Sequence, residues 1–301
     1  MTFVTKTYGK WILCGEQSVL RGHPAIVFPL GNYSLALEYQ WSKDPLIVSS
    51  NVIDKNPLVQ VWNATWDAFP KYSDTFRHFG QLKINSTIPI GQGMGASAAL
   101  CLAIARCICH FSKTTPLIWE TAKQLENLFH GQSSGLDILG AGSSQGTWFQ
   151  QGQRRALQLT WHPHWVLTNT GQIGETTSAV KQVKDFYQRQ PQQGKALDHK
   201  MAKSVHLALS ALEGSHPNAL EMLSESMYQA CNCFHNWGLI TPEMNNQIEK
   251  LKKQGALAVK PTGSGGGGFL LSLWPDAHYT NLEGEQHLKV ILPTDNTFHQ
   301  P

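Results

Sequence analysis

The sequence has no apolar run of the ~20 residues that a membrane-spanning helix needs. Its first residues lack the apolar centre and the small-residue cleavage site of a signal peptide. Charged residues make up 15% of the 301 residues, and a formal net charge of +3 is too small to indicate a nucleic acid or an acidic membrane as partner. We therefore expect a cytoplasmic protein whose partner is a small molecule, with no nucleic acid and no membrane. A homodimer is compatible with the sequence.

Cys-x-x-Cys spacing is also missing from the six cysteines, so they do not indicate a zinc site. Cys101, Cys107 and Cys109 fall in one apolar helical stretch, and Cys231 and Cys233 fall in another. We expect buried, reduced thiols. With 41% hydrophobic residues, the chain is long enough for one large or two medium domains with a full core.

A glycine-rich loop lies between two apolar segments near residue 90. Apolar and polar residues alternate over 82–90, which predicts a strand, and residues 98–109 are apolar on nearly every side, which predicts a buried helix. Gly91, Gly93 and Gly95 lie between them, without the Gly-Lys-Ser/Thr ending of a Walker A loop. A glycine loop that opens a helix is typical of anion sites, because unpaired amides and the helix dipole both favour negative charge. By composition alone, a flexible loop before a core helix is the favoured interpretation, and the rest of the chain has to decide between the two.

The rest of the chain predicts a mixed order of strands and helices. In the first half we expect strands at 11–15, 25–28 and 33–41, with turns at 22–24 and 29–31. Aromatic residues between 42 and 80 hint at an amphipathic helix: Trp62, Trp66, Phe69, Phe76 and Phe79. A further helix is expected at 116–130, with Pro116 in its first turn and Glu126 at the border of its apolar stripe.

In the second half we expect a strand at 165–169 and two or three helices, including stripes over 197–212 and 219–234. An exposed loop is expected at 188–195, and strands at 256–259, 269–274 and 288–292. The composition changes around the Gln-rich segment before the strand at 165. We therefore predict an N-terminal domain at 1–160 and a C-terminal domain at 161–301.

Two other glycine motifs match known patterns without their structural context. Residues 263–268 fit Gly-x-Gly-x-x-Gly, but a dinucleotide fingerprint opens a helix and here a strand follows. Gly131 to Gly135 fit the Gly-x-Ser-x-Gly elbow of hydrolases, but a helix rather than a strand precedes Ser133. A serine hydrolase using Ser133 and a non-catalytic nucleotide-binding protein remain as alternatives.

Phosphoryl transfer needs a phosphate cradle, oxygen ligands for Mg²⁺, a base near the attacking hydroxyl and a cation. The loop at 91–97 offers the cradle, and Ser97 and Glu126 offer a hydroxyl and a carboxylate, which Mg²⁺ prefers beside phosphate oxygens. Asp137 is a candidate base in a tight glycine-rich segment, and Lys10 is a candidate cation next to the first strand. Each of these features alone is weak, because most lysines and carboxylates lie on protein surfaces.

Three segments in this order resemble the GHMP kinases. Pro89–Ala99 resembles the phosphate loop Pro-x-x-x-Gly-Leu-Gly-Ser-Ser-Ala-Ala of that family. Gly9–Gly22 resembles its N-terminal Gly-Lys…Gly-Glu-His segment, and Lys260–Gly268 resembles its C-terminal Lys-x-Thr-Gly-x-Gly-Gly-Gly-Gly loop. Within the family, Glu126–Asp137 and the region of Leu167–Thr176 are most similar to mevalonate kinases.

The resemblance implies an α+β, two-domain GHMP-kinase-like fold with the active site in the cleft between domains. Its N-terminal domain would be ribosomal-protein-S5-domain-2-like and its C-terminal domain ferredoxin-like. The implied reaction is ATP- and Mg²⁺-dependent phosphorylation of the hydroxyl of a small acid-bearing alcohol, mevalonate first. Phosphomevalonate or another GHMP substrate is the nearest alternative.

The resemblance also implies roles for individual residues. Asp137 would be the base, with Lys10 lowering the pKa of the acceptor hydroxyl, and Ser97 and Glu126 would hold Mg²⁺. The implied ATP phosphate-binding residues are Gly91, Gly93, Met94, Gly95, Ala96, Ser97 and Ala98. The implied substrate residues are Glu16, Gln17 and Thr176, and the C-terminal glycine loop contributes Thr262, Gly263, Ser264, Gly265 and Gly266.

The sequence departs from the family pattern at five positions. Ala96 replaces the first serine of the phosphate loop, Gln17 replaces a histidine, and Ser133 replaces a proline. Gly174 and Glu175 stand where mevalonate kinases usually carry basic residues. Most of these changes fall around the acceptor, so the identity of the acceptor is the least determined part of the prediction.

Overall fold

Two β-sheets and the helices packed on them form the protein. The computed structural model describes residues 1–51, 55–67, 76–114, 117–130, 133–276 and 287–290. Within these ranges, every helix is too short or too polar to cross a membrane.

The first sheet has six strands in the spatial order β3-β4-β2-β5-β6, and β1 pairs with β2 beside this path. Its strands are β1 (Thr2–Cys14), β2 (Ala25–Pro45), β3 (Ile47–Ser50), β4 (Phe79–Ser86), β5 (Thr147–Gln150) and β6 (Gln153–Ala156). A short 3₁₀ helix, Ser18–Arg21, connects β1 to β2. All pairs are antiparallel except β3 with β4.

The β1–β2 pair differs from the prediction, because the expected turn at 29–31 is wrong. Residues 29–31 lie within β2, and Pro29 and Leu30 pair with Lys10 and Gly9 of β1. A shift of register between Tyr8 and Gly9 lets β1 follow β2 on both sides of this segment. The pairing partner, which is distant in sequence, overrides the local turn signal of proline and glycine.

Among the described residues of this half, four helices accompany the first sheet: α1 (Lys55–Asp67), α2 (Ala96–Ser112), α3 (Ile118–His130) and α4 (Leu136–Gly142). Helix α2 is buried on nearly every side, as its apolar sequence predicts. The strand expected at 82–90 ends earlier, at Ser86, so Ile90 lies outside it and is 53% exposed. Phe69 and Pro116 lie outside the described residues.

The second sheet is antiparallel, with the order β10-β7-β9-β8. Its strands are β7 (His164–Asn169), β8 (Ala258–Thr262), β9 (Phe269–Trp274) and β10 (His287–Lys289). The part of this half that the structure describes has four helices: α5 (Thr176–Arg189), α6 (Pro191–Glu213), α7 (Ala219–Asn236) and α8 (Pro242–Lys253). The end of the strand expected at 288–292 lies outside the described residues.

Two expectations for the second half are wrong. Residues 191–195 are the start of α6 rather than a loop; Pro191 suits a first helical turn, and Gly194 packs against the ring of Tyr187. Residues 260–262, expected at the start of the glycine loop, are the buried end of β8. β8 continues to Thr262 because residues 260–262 pair with residues 269–271 of β9.

The two halves share a packed core. Trp11 of β1 stacks on Phe28 of β2, with ring centroids 4.5 Å apart, and meets Trp165 of β7 edge-on at 4.9 Å. The first sheet ends at Ala156 and the second begins at His164, and the boundary at 160/161 stays a prediction. All six cysteines are unpaired thiols; Cys231 is half-buried and the other five are buried.

Candidate functional site

A cleft of about 530 Å³ lies between residues of the two halves. This volume suits a small-molecule ligand. Lys10, Glu126 and Asp137 line it from the first half, and Thr176 and Ser264 line it from the second. Charged groups and the glycine loop at 91–97 therefore line one cavity. An ordinary loop before a core helix would not be expected to lie among such groups.

The first glycine loop lies directly on the lysine of β1. Met94 accepts a hydrogen bond from the backbone amide of Lys10 at 2.9 Å. Gly95 precedes the first residue of α2 and has a φ of +81°, and a β-carbon there would lie 2.6 Å from Cγ of Lys10. Because Ser97 is in the first turn of α2 and lines the cleft, the helix terminus that favours anions opens at this cavity.

Lys10 and Asp137 form an ion pair inside the cleft, with Nζ 2.9 Å from Oδ2. The lysine is buried, whereas the aspartate, in the first turn of α4, is 36% exposed. Gly140 of the same helix lets α4 pack against the lysine, because a β-carbon there would lie 2.8 Å from Cβ of Lys10. The lysine is thus held from two sides, and the carboxylate keeps a face open to the cavity.

Glu126 is a second carboxylate in the cleft, and it is almost fully buried. Ser133 donates a hydrogen bond from its hydroxyl to Oε2 of Glu126. Burial, and then the negative charge of Asp137, raise the pKa of Glu126 to about 7, although Ser133, Lys10 and Lys123 act in the opposite direction. A cation beside Glu126 would relieve this unfavourable charge.

The second glycine loop, residues 263–268 between β8 and β9, meets the first loop at the cleft. A β-carbon on Gly263 would lie 3.6 Å from the carbonyl oxygen of Gly93. The backbone oxygen of Ser264 accepts a hydrogen bond from Nε2 of Gln17 at 2.9 Å, and its hydroxyl lies 3.4 Å from Oγ1 of Thr176. The second glycine loop therefore contacts both the predicted substrate residues Gln17 and Thr176 and the first glycine loop.

Most of the predicted site residues line this one cleft. They are Lys10, Glu16, Gln17, Gly91, Gly93, Met94, Gly95, Ala96, Ser97, Glu126, Asp137, Thr176, Gly263 and Ser264. Four others do not line it: Ala98, Thr262, Gly265 and Gly266. The hydroxyl of Thr262 bonds instead to the backbone of Ile12, and Gly265 packs on Phe234 and Leu239. The roles of all these residues stay predictions.

The cleft also has an apolar part of its wall that no sequence pattern indicates. Leu58, Val61, Leu100, Ile173 and Val180 all line the cleft. They come from α1, α2, the segment before α5, and α5 itself. Nothing in the local pattern distinguishes such residues from ordinary core positions, since a leucine that faces a ligand and a leucine that faces a neighbouring helix have the same periodicity.

The surroundings of Ser133 do not match a hydrolase elbow. The element before it is α3 rather than a strand, although residues 131–132 lie outside the described ranges. The hydroxyl donates to Glu126 and accepts a hydrogen bond from the amide of Gly135 at 3.0 Å. Its contacts make Ser133 a support for Glu126.

Two models of one protein family match the sequence, one in each half of the chain. The model described as "GHMP kinases N terminal domain" matches residues 58–144, and the model described as "GHMP kinases C terminal" matches residues 208–278. Together they cover slightly more than half of the chain. The chain belongs to the GHMP kinase family and is therefore a phosphotransferase.

Individual proteins are similar to this chain over most of its length. The mevalonate kinase of Archaeoglobus fulgidus is 28% identical over 279 residues, which cover 88% of this chain and 90% of that protein. The crystal structure of L. major mevalonate kinase in complex with R-mevalonate superposes with a TM-score of 0.73 at 23% identity, over 92% of this chain and 88% of that one. The Streptococcus pneumoniae phosphomevalonate kinase, in complex with phosphomevalonate and AMPPNP, has a TM-score of 0.75 at 17% identity, over 91% and 93%. These structures confirm the expected α+β fold.

Proposed function

We propose that this chain transfers the γ-phosphoryl group of ATP to the hydroxyl of a small acid-bearing alcohol, with mevalonate as the first candidate. The Lys10–Asp137 pair carries the proposal, because it sets a base and a cation 2.9 Å apart in a cleft lined by a helix-opening glycine loop. Relatives named mevalonate kinase that match 88% of the chain support the choice of acceptor. A phosphomevalonate kinase of similar fold makes phosphomevalonate the second candidate.

In this proposal, Asp137 accepts the proton of the attacking hydroxyl through the carboxylate face that is open to the cleft. Lys10 stabilises the negative charge that develops on the same oxygen, because its ammonium is already fixed beside Asp137. The acceptor oxygen forms a bond to the γ-phosphorus, the bond from that phosphorus to the bridging oxygen breaks, and ADP leaves. The protein contributes mainly position and charge, as phosphoryl transfer requires.

In this proposal, the loop 91–97 and the first turn of α2 bind the phosphates of ATP. The first amides of an α-helix make no hydrogen bond within the helix itself, and the helix dipole favours negative charge there, so a helix N-terminus is a favourable site for phosphate oxygens. Ala96 supports this interpretation, since a methyl group at that position leaves the backbone amide as the only donor. The two glycine loops face each other, so the second loop covers the same ligand from the other half of the chain.

Ser97 and Glu126 are the residues that would hold Mg²⁺, which would neutralise charge on the phosphates. The raised pKa of Glu126, caused by burial and by Asp137, fits a position that a cation would stabilise. In the described ranges no group of three or more His, Cys, Asp or Glu side chains is arranged to hold a metal ion. One carboxylate and one hydroxyl nevertheless suit Mg²⁺, which binds nucleotide sites mostly through phosphate oxygens and water.

A panel assay tests the proposed function. The purified chain is incubated with ATP and Mg²⁺ and, separately, with mevalonate, phosphomevalonate, homoserine and galactose, while ADP release is followed. We expect turnover with mevalonate, and turnover with phosphomevalonate alone would replace the acceptor but keep the reaction. ATP binding without ADP release on any of the four alcohols would contradict the proposal and favour a non-catalytic relative.

A further inference from the structure

A second lysine–carboxylate pair lies beside the cleft, and its lysine comes from the other half of the chain. Lys260 on β8 is fully buried, and its Nζ lies 2.5 Å from Oε1 of Glu16, directly after β1. The same ammonium donates to the backbone oxygen of Ile12 at 3.4 Å and lies 5.4 Å from the ring centroid of Phe234. The lysine therefore holds the end of β1 against β8.

This pair is costly for a purely structural contact. Removing two charges from water is unfavourable for each ion, and well-packed apolar side chains often stabilise a fold as well as a buried pair does. Glu16 lines the cleft, whereas Lys260 does not. The pair thus places a carboxylate at the cavity wall and keeps its counter-ion behind that wall.

Two buried oxygen atoms next to this pair lack partners. Oε2 of Glu16 and Oε1 of Gln17 accept no hydrogen bond from another residue that the structure describes, and both side chains line the cleft. The orientation of the Gln17 amide is defined, because its Nε2 donates to the backbone oxygen of Ser264, which can only accept. A buried acceptor without a donor destabilises the fold unless a ligand supplies that donor.

The backbone at this point is strained as well. Gln17 has a φ of +60° and a ψ of −48°, and the amide of Ser18 donates to the carbonyl oxygen of Glu16 at 2.6 Å. This is a γ-turn of the rare form with positive φ. Strained residues persist where the surrounding structure holds them, and they cluster at ligand sites. The turn sets two neighbouring side chains, each with an unpaired oxygen, on the same wall.

We propose that Lys260 is a positioning residue for the acceptor: it holds one oxygen of Glu16 so that the other oxygen, together with the amide oxygen of Gln17, accepts hydrogen bonds from the acceptor molecule. The inference rests on the proposed function, since it concerns the alcohol that the kinase binds. It adds a residue from the second sheet that does not line the cleft itself. Lys260 acts through Glu16 and touches neither ATP nor the reacting atoms.

Charge explains why a lysine is needed at this position. Burial raises the pKa of Glu16, and the ammonium of Lys260 is the largest influence in the opposite direction. The other titratable groups that face Glu16 are Lys10, Cys14 and Cys233. Without Lys260 the carboxyl would hold its proton to higher pH, and it would rotate away from its fixed position.

The first test is Lys260→Met, which keeps the length of the side chain and removes the charge. We expect the KM for the acceptor to rise at least tenfold, while the KM for ATP stays within twofold. The acidic limb of the pH profile of kcat/KM for the acceptor should move to higher pH, because Glu16 then ionises later. A merely structural role would lower Tm and leave the pH profile where it was. Arg155→Met is the matched control, because it removes a cation from an exposed pair with Glu213 that does not line the cleft.

A second set of variants keeps the inference testable if Lys260→Met fails to fold. Glu16→Gln is isosteric and leaves no carboxylate for Lys260 to neutralise, so the double variant Glu16→Gln with Lys260→Met contains no unpaired buried charge. We expect Glu16→Gln alone to raise the KM for the acceptor, and the added Lys260→Met to change it by no more than twofold. Lys260→Arg should retain most of the affinity because it keeps the charge.

Three results would overturn the inference. One is an equal rise in the KM values for ATP and the acceptor in Lys260→Met, and another is an unchanged KM for the acceptor in that variant. A further tenfold rise when Lys260→Met is added to Glu16→Gln would show that Lys260 does not act through Glu16. If the wild-type chain phosphorylates no alcohol, the proposed function fails and this inference fails with it, whereas turnover by the wild type together with any of these three results refutes the inference alone.

Discussion

Asp137 and Asp198 are both paired with a cation, but their surroundings differ. Asp198 on α6 is 1% exposed and accepts two hydrogen bonds from Arg21 at 2.6 Å and one from Tyr187 at 2.7 Å. Asp137 on α4 is 36% exposed and lies 2.9 Å from the ammonium of Lys10 at the wall of the cleft. One carboxylate is enclosed by its partners, and the other keeps access to the cavity.

Access of the carboxylate to the cleft is what separates a structural ion pair from one that we expect to be reactive. A carboxylate has about four positions for accepting hydrogen bonds, and Asp198 uses three of them inside the protein. Any change there leaves donors unpaired in the interior, so its effect falls on stability. Asp137 has room to take a proton from a ligand, so its effect should fall on the rate. The two pairs therefore predict opposite results for similar mutations.

Asp137→Asn should have the largest effect. The amide keeps the size of the side chain but cannot take up the hydroxyl proton at neutral pH, and we expect kcat to fall by about 10³-fold. The free energy of unfolding should fall by less than it does when the Asp198 pair is broken, because Asp137 is 36% exposed and the oxygen of the new amide still accepts a hydrogen bond from the buried ammonium of Lys10. Initial rates with saturating ATP and acceptor, together with a thermal melt, measure both quantities. A kcat within tenfold of the wild type would show that another group serves as the base.

The sequence indicates the Lys10–Asp137 pair better than the Arg21–Asp198 pair. Asp137 and Lys10 lie in short motifs with a recognisable order, and the border position of Glu126 on its helix is visible in the apolar stripe of α3. The pairing of Arg21 with Asp198 joins residues that are 177 positions apart, and no local pattern indicates it. Contacts between distant segments depend on the folded chain, so sequence patterns do not reveal them.

The same reason explains most errors in the predicted fold. The alternation of β4 and the apolar character of α2 are local properties: α2 lies where it is expected, and β4 covers the first part of the strand expected at 82–90. The turn expected at 29–31 is absent because β1 pairs along that whole region of β2. The glycine-rich neighbours of Lys260 predict a loop there, but Lys260 lies in β8 and its partner Glu16 is 244 residues away. Where a residue's partners are distant, composition is a poor guide.

Arg21→Met breaks the enclosed pair and gives the second-largest effect. Removing the cation leaves the carboxylate of Asp198 buried beside Tyr187, and we expect a loss of about 3 kcal/mol in the free energy of unfolding. Denaturant unfolding measures this loss. Well below the unfolding temperature, kcat and both KM values should stay within threefold of the wild type, because Arg21 does not line the cleft. A large fall in kcat without a loss of stability would reverse the assignment of the two pairs.

Glu126 is an intermediate case: it is buried like Asp198, and it lines the cleft like Asp137. Its pKa is raised to about 7, so in the metal-free protein the carboxyl holds its proton below that pH and competes with Mg²⁺. We expect the Mg²⁺ concentration needed for half-maximal rate to rise by about tenfold per pH unit below pH 7 and to level off above it. The measurement is a Mg²⁺ titration of the initial rate at fixed ATP between pH 5.5 and 8.

The ATP phosphates titrate in the same range, so the wild-type profile alone is not enough. Glu126→Gln is the matched control, since it keeps the side-chain size and the contact with Ser133 but has no proton to lose. The variant should need more Mg²⁺ at pH 8 and show only the weaker pH dependence that ATP itself contributes. If the two proteins have parallel profiles, Glu126 does not hold the metal and its burial is structural, like that of Asp198. If the profiles converge at low pH, burial and reactivity coexist in one carboxylate, and access to the cleft rather than exposure distinguishes a reactive carboxylate from a structural one.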